Sequence, residues 1–181
     1  MEIEQSTNIE YAQPGESIVV IRIGGRGTFH NSPCLEKLEE EFCRQNENVR
    51  FIIDLEKCNY MDSTFMGVLA YMGTNQIKRG VGKMTVLNQT NHTLKLLSTL
   101  GLTQILDVHF DKSTEYLKNA DFEVAECPEQ DKYTQIVHML EAHKKLIDID
   151  GRNEVQFEKV VTLLSESLKR EEEKDSQDQP C

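Results

Sequence analysis

The chain has 181 residues, 20 Lys and Arg against 31 Asp and Glu, and a formal net charge of -11. That length fits one domain plus an appendage, and an acidic chain of this kind is repelled by phosphate backbones and anionic lipid, which argues against nucleic acid or a membrane surface as a partner. No apolar run approaches the roughly 20 residues of a membrane span, and the acidic Met1–Gln5 segment lacks the pattern of a secretory signal, so a cytoplasmic location is expected.

The charge is uneven. Residues 1–120 carry 15 acids and 12 bases, whereas residues 121–181 carry 16 and 8. The shift falls near Pro128 and divides the chain into an alternating first domain (1–122), a helical extension (123–170) and an acidic tail (171–181) expected to be disordered.

In chain order, a strand is expected near Asn8 to Gln13, and Ser17 to Ile23 reads as a buried strand stopped by Gly24, Gly25 and Gly27. Ser32 then looks like an N-cap with Pro33 at the first helical position, opening a helix with Leu35, Leu38 and Phe42 on one face. Val49 to Leu55 is a strand, and Thr64 to about Lys78 a helix. Lys83 to Leu87 is a further strand, and Asn91 to Leu100 a helix capped by Gly101. Thr103 to Phe110 suits an edge strand and Thr114 to Asn119 a short helix. Alternating strands and helices predict an α/β fold, a mixed, mainly parallel sheet with helices packed on it. Functional groups in such folds gather where strand ends meet helix N-termini, here after Ile23 and after Leu55.

The later part predicts an α-helical hairpin. Tyr133, Ile136, Val137, Leu140 and His143 share one face of a helix over Asp131 to about Leu146. After a turn at Asp148 to Gly151, an Asn153-to-Gln156 capping box opens a helix carrying Phe157, Val160, Val161, Leu164 and Leu168. The pair fits a lid on the first domain, a homodimerisation hairpin or a docking element, and these alternatives stay open.

The chemistry-bearing residues are sparse. Five cysteines without a CxxC pair argue against a disulfide framework and against a thiolate zinc site. The five histidines are scattered, and His138 and His143 are spaced so as not to share a helix face, so no metal and no cofactor is expected. Cys58 reads as a small buried thiol and Asp54 as the polar end of its strand facing a helix N-terminus. No catalytic constellation appears, so an enzyme is the least supported class.

The informative segment is Tyr60 to Leu69, where Asp62, Ser63 and Thr64 stand at a strand-to-helix turn. Asp62 or Ser63 suffices as a helix cap. By spacing alone capping is the preferred reading; the functional alternative is a hydroxyl that accepts a phosphoryl group at the positive end of a helix. The Asp62-Ser63-Thr64-Phe65-Met66-Gly67 turn after the strand Phe51 to Leu55, with Leu96 to Leu102 ending in Gly-Leu, resembles the STAS domain family over about residues 8–120. The resemblance is to its anti-sigma factor antagonists.

It implies a regulator that binds an ATP-dependent serine kinase, itself the anti-sigma factor. Ser63, with Thr64 as the second candidate, would be the phosphorylated residue, a serine phosphatase would reverse the modification, and Asp62 would orient the hydroxyl. Phe65 replaces the family glycine, and Phe65 and Met66 are expected to add contact area for a partner beside Gly67. Arg26 and Thr28 replace the usual acidic segment, so Arg26 is expected either to pair with a phosphate on Ser63 or to be a solvated loop residue. The other readings are a STAS scaffold that is not phosphorylated and an accessory subunit of a transporter complex.

Overall fold

The computed structural model describes residues 8–110, 117 and 120–177. A sheet ordered β6-β5-β3-β2-β1-β7 runs through the chain, built from β1 (Asn8–Gly15), β2 (Ile18–Gly27), β3 (Arg50–Asp54), β5 (Met84–Leu87), β6 (Leu106–His109) and β7 (Glu123–Val124), with β4 (Cys58–Met61) pairing with β2 off this path. β2, β3, β5 and β6 pair in parallel, and β1 runs antiparallel to β2 and β7. The helices are α1 (Ser32–Gln45), α2 (Ser63–Lys78), α3 (Asn91–Thr99), α4 (Lys132–Ile149) and α5 (Asn153–Gln177). This is the expected mixed, mainly parallel sheet with a helical pair after it. The short helix expected at 114–119 lies, Leu117 apart, outside the described residues.

The alternation of the strands sorts their side chains. Val19, Ile21, Ile23, Phe51, Ile53, Met84 and Val86 point to one face and join Leu35, Leu38, Phe65, Leu69 and Leu97 in the main core. Val20, Ile52 and Leu87 face the other way into a smaller cluster with Phe122.

The glycine run does not end β2. The strand continues to Gly27, because Gly25 adopts φ 69° at a register shift and lets the strand exchange partners, from β3 along Ile18–Arg22 to β4 along Gly25–Gly27. The short strand β4 was not expected, and it brings Asp62 beside the end of β2. α1 begins one residue earlier than the pattern suggests. Asn31 is its N-cap and Ser32 its first residue, with Pro33 next. The final strand is shorter than expected, because Leu102–Gln104 forms a 3₁₀ turn before β6.

Asp54 faces no helix N-terminus. Its carboxylate is fully buried and accepts from Arg22 Nε at 3.0 Å, Asn88 Nδ2 at 2.9 Å and the Glu56 N–H at 3.0 Å. Arg22 in turn lies over the Phe122 ring at 3.8 Å. A buried carboxylate is tolerated only when paired and hydrogen-bonded in this way.

The helical pair folds back on the first domain. α4 lies along α2, and α5 lies along α4. Ala142, Leu146 and Phe157 belong to the main core, whereas Tyr133, expected on the inward face, is exposed. Asn153 takes another role than the expected capping box. It is the first residue of α5, and its Nδ2 donates to the Leu100 and Leu146 carbonyls at 3.0 and 2.7 Å, fastening the hairpin turn to the end of α3. α5 runs past 170 to Gln177, where disorder was expected, because Glu171 pairs with Lys174 one turn on and with Lys132 at the start of α4.

The cysteines also depart from expectation. Cys34, buried in the first turn of α1, forms a disulfide with the exposed Cys127 in the segment leading to α4. A count without CxxC spacing could not reveal a pair 93 residues apart. Cys58 is buried as expected, and burial pushes its thiol above the ordinary value.

Candidate functional site around Ser63

The two segments singled out by the strand ends meet. The Asp62 N–H donates to the Gly27 carbonyl at 2.9 Å, and Asp62 Oδ2 accepts from the Phe29 N–H at 2.8 Å. Asp62 Oδ1 accepts from the Phe65 N–H at 2.8 Å, which caps α2. Both carboxylate oxygens are therefore engaged by backbone donors, and the group that meets the Ser63 hydroxyl is a different one.

That group is His143. Ser63 Oγ lies 2.9 Å from His143 Nε2, and His143 Nδ1 lies 2.7 Å from the Met139 carbonyl. A carbonyl only accepts, so Nδ1 carries the proton; in the neutral ring Nε2 then offers its lone pair, and the serine hydroxyl donates to it. The imidazole is buried and packs edge-on to Phe157 at 5.1 Å. Ser63 itself stays partly exposed as the first residue of α2, while Thr64 is buried.

A second pair repeats the pattern. Ser32 Oγ, at the start of α1, lies 2.6 Å from His138 Nε2, and His138 Nδ1 lies 3.0 Å from Glu36 Oε2. Ser32 is fully buried. Each of two helix-starting serines thus meets a histidine of α4.

The expectation that Phe65 and Met66 add contact area for a partner is corrected. Phe65 is fully buried and Met66 nearly so, so neither adds surface for a partner. The reason is local: the Phe65 ring fills the space over Gly27, where a Cβ would sit 2.7 Å from Phe65 Cδ1. The exchange of a glycine for phenylalanine in the turn is matched by a glycine on the facing strand. Gly67 packs against this chain's own α4: its missing side chain lets the α4 backbone approach, with Ala142 Cα 2.8 Å from the position a Cβ would take. Arg26 is exposed and lies over the Tyr60 ring at 4.2 Å, and Thr28 ends the strand by donating its N–H to Asn31 Oδ1 at 2.7 Å.

Ser32, Glu36, His138 and His143 were not singled out as site residues. The available signal was His143 itself, an imidazole among apolar positions of a predicted inward face, which on burial requires a polar partner. Nothing in the spacing indicated which one.

Residues 9–116 match the STAS domain family. The chain belongs to that family. Among solved structures it is similar to a Thermotoga maritima protein described as a candidate anti-sigma factor antagonist, at 17% identity, covering 56% of this chain and 86% of that one with a TM-score of 0.50. It is also similar to the anti-sigma factor antagonist SpoIIAA in its unphosphorylated form (18% identity, 57% and 89% coverage, TM-score 0.45). The same holds for the Bacillus cell fate determinant SpoIIAA in its phosphorylated form (18%, 57% and 93%, TM-score 0.47). At these identities the likeness is one of fold. A comparison with curated proteins gave no significant match. Among the described residues of this STAS protein no helix is long and apolar enough to cross a membrane, and no group of His, Cys, Asp and Glu is arranged to hold a metal.

Proposed function

We propose that this STAS protein is a non-enzymatic cytoplasmic regulator of the anti-sigma factor antagonist type, switched by reversible phosphorylation of Ser63. The observation that carries the reading is Ser63, half-buried at the first position of α2 beside an Asp62 cap whose two carboxylate oxygens are both engaged. The modification would be simple phosphoryl transfer from ATP. Ser63 Oγ bonds to the γ-phosphorus, the bond to ADP breaks, and the hydroxyl proton leaves to a base. The product places a dianion at the positive end of α2, where the helix dipole favours it.

The unmodified surface would bind a serine kinase of the anti-sigma type, and the added charge would release it; a serine phosphatase would restore the first state. Incubation of the purified chain with γ-labelled ATP and an extract of its own cells tests this. Label is expected on the wild type and on Thr64→Ala, and none on Ser63→Ala. Equal labelling of Ser63→Ala would overturn the assignment, and no labelling of any form would favour a scaffold in which Ser63 only holds α4.

A further inference from the structure

The surface that a partner of Ser63 has to reach is already occupied. α4 lies on α2 with Ala142 against Gly67, sets His143 Nε2 to accept from the Ser63 hydroxyl and sends Leu146 into the core. Its leading segment is joined to α1 by the Cys34–Cys127 disulfide, and Lys37 Nζ donates to the Glu126 carbonyl at 3.2 Å beside it. We infer that α4 is an intramolecular occupant of the partner-binding face of α2, and that the Cys34–Cys127 disulfide holds it there.

The inference rests on Ser63 being the switch residue. The face beneath α4 is shaped by Gly67, so it suits a partner that presents a helix with a small residue where Ala142 now sits. A partner of that kind and α4 compete for one surface. Phosphorylation of Ser63 adds a bulky dianion at a 2.9 Å contact, so α4 cannot keep its present seat against Ser63.

The tether is chemically addressable. Cys127 is exposed and Cys34 is buried in the first turn of α1. A dithiol attacks the exposed Cys127 sulfur as thiolate and displaces the Cys34 sulfur, which takes up a proton. The second thiol of the reagent then resolves the mixed disulfide. The protein gains two thiols and the reagent becomes a cyclic disulfide. In a reducing compartment such a bond persists only under oxidising conditions, which makes the cover responsive to redox state.

The test uses the full chain. Hydrogen exchange is followed over residues 63–78 and 132–149 in the oxidised protein, after dithiothreitol, in a Cys34→Ser/Cys127→Ser variant and in Gly67→Val. Cys43 lines an open groove of about 890 Å³ with Gly67, Tyr71 and Ala142, so its labelling by N-ethylmaleimide reports departure of α4, while the buried Cys58 reports global unfolding. Reduction and both variants are expected to speed exchange in α2 and α4 by about tenfold or more, with the strands 18–27 and 50–54 unchanged. Cys43 should label faster in the variants and Cys58 should stay silent.

Unchanged exchange and labelling after loss of the disulfide would overturn the inference. So would loosening of strands and helices together, since α4 would then be an integral part of the core. A phosphate on Ser63 with α4 still protected would overturn the cover and leave Ser63 as the modified residue. Release of α4 on reduction in a chain never phosphorylated would support the cover and remove the phosphoserine reading.

Discussion

Ser63 Oγ donates to His143 Nε2 across 2.9 Å, joining the first residue of α2 to a buried ring 80 residues later. The bond makes the state of one hydroxyl legible to a helix outside the matched family segment. Ser63→Ala leaves a buried acceptor without a donor, at a cost of about 1 kcal/mol. A fall in Tm of roughly 2–4 °C is expected by calorimetry, and no change would mean that the ring finds another donor.

Phe65 and Gly27 form the second coupled pair. Gly27→Ala is expected to lose about 2 kcal/mol or more, because the new methyl overlaps the Phe65 ring. Phe65→Ala alone opens a cavity costing about 3–5 kcal/mol. The double variant should lose less than the sum of the two, and chemical denaturation of all four forms measures the difference. Strict additivity would show that the two sites do not touch.

Arg22 and Asp54 make an ion pair whose carboxylate has no exposure. Arg22→Met would leave that charge with Asn88 and one backbone N–H, at a cost of about 3–5 kcal/mol. Arg22→Met with Asp54→Leu should recover most of it. Urea midpoints of the single and double variants check this, and a single variant as stable as wild type would contradict the account.

Glu39 is 6% exposed, and burial pushes its carboxyl above the ordinary value, against the opposing effects of Asn75 and Arg79. A raised carboxyl binds its proton more tightly in the folded chain, so stability falls as pH rises from the unfolded value through the folded one. Glu39→Gln is therefore expected to stabilise at pH 7 by on the order of 1 kcal/mol and to make little difference at pH 4. The ratio of melting shifts at the two pH values is the readout; equal shifts would remove the linkage.

Where periodicity and burial agree, the fold is legible in the sequence: β-branched runs became β2 and β3, and the Leu35, Leu38 and Phe42 stripe became the buried face of α1. The turn at Asp62 was equally readable, since an acid before two hydroxyls and an apolar run is a helix start. What escaped was long-range. β4 is a four-residue strand whose pairing depends on Gly25 changing the partner of β2, and no local pattern encodes a partner exchange. The Ser63–His143, Ser32–His138 and Cys34–Cys127 contacts join residues 80, 106 and 93 positions apart, each fixed by where α4 comes to rest. Phe65 was misplaced for a simpler reason: the glycine that receives it lies on another strand.

The most direct measurement is the intact mass of the chain isolated from its own cells, with and without phosphatase treatment, followed by fragmentation to locate any added group. The account predicts a phosphatase-sensitive species heavier by one phosphate, carried on Ser63 and absent from a Ser63→Ala strain. A chain carrying no phosphate under growth and stress alike, or carrying it elsewhere while Ser63 stays bare, would contradict it.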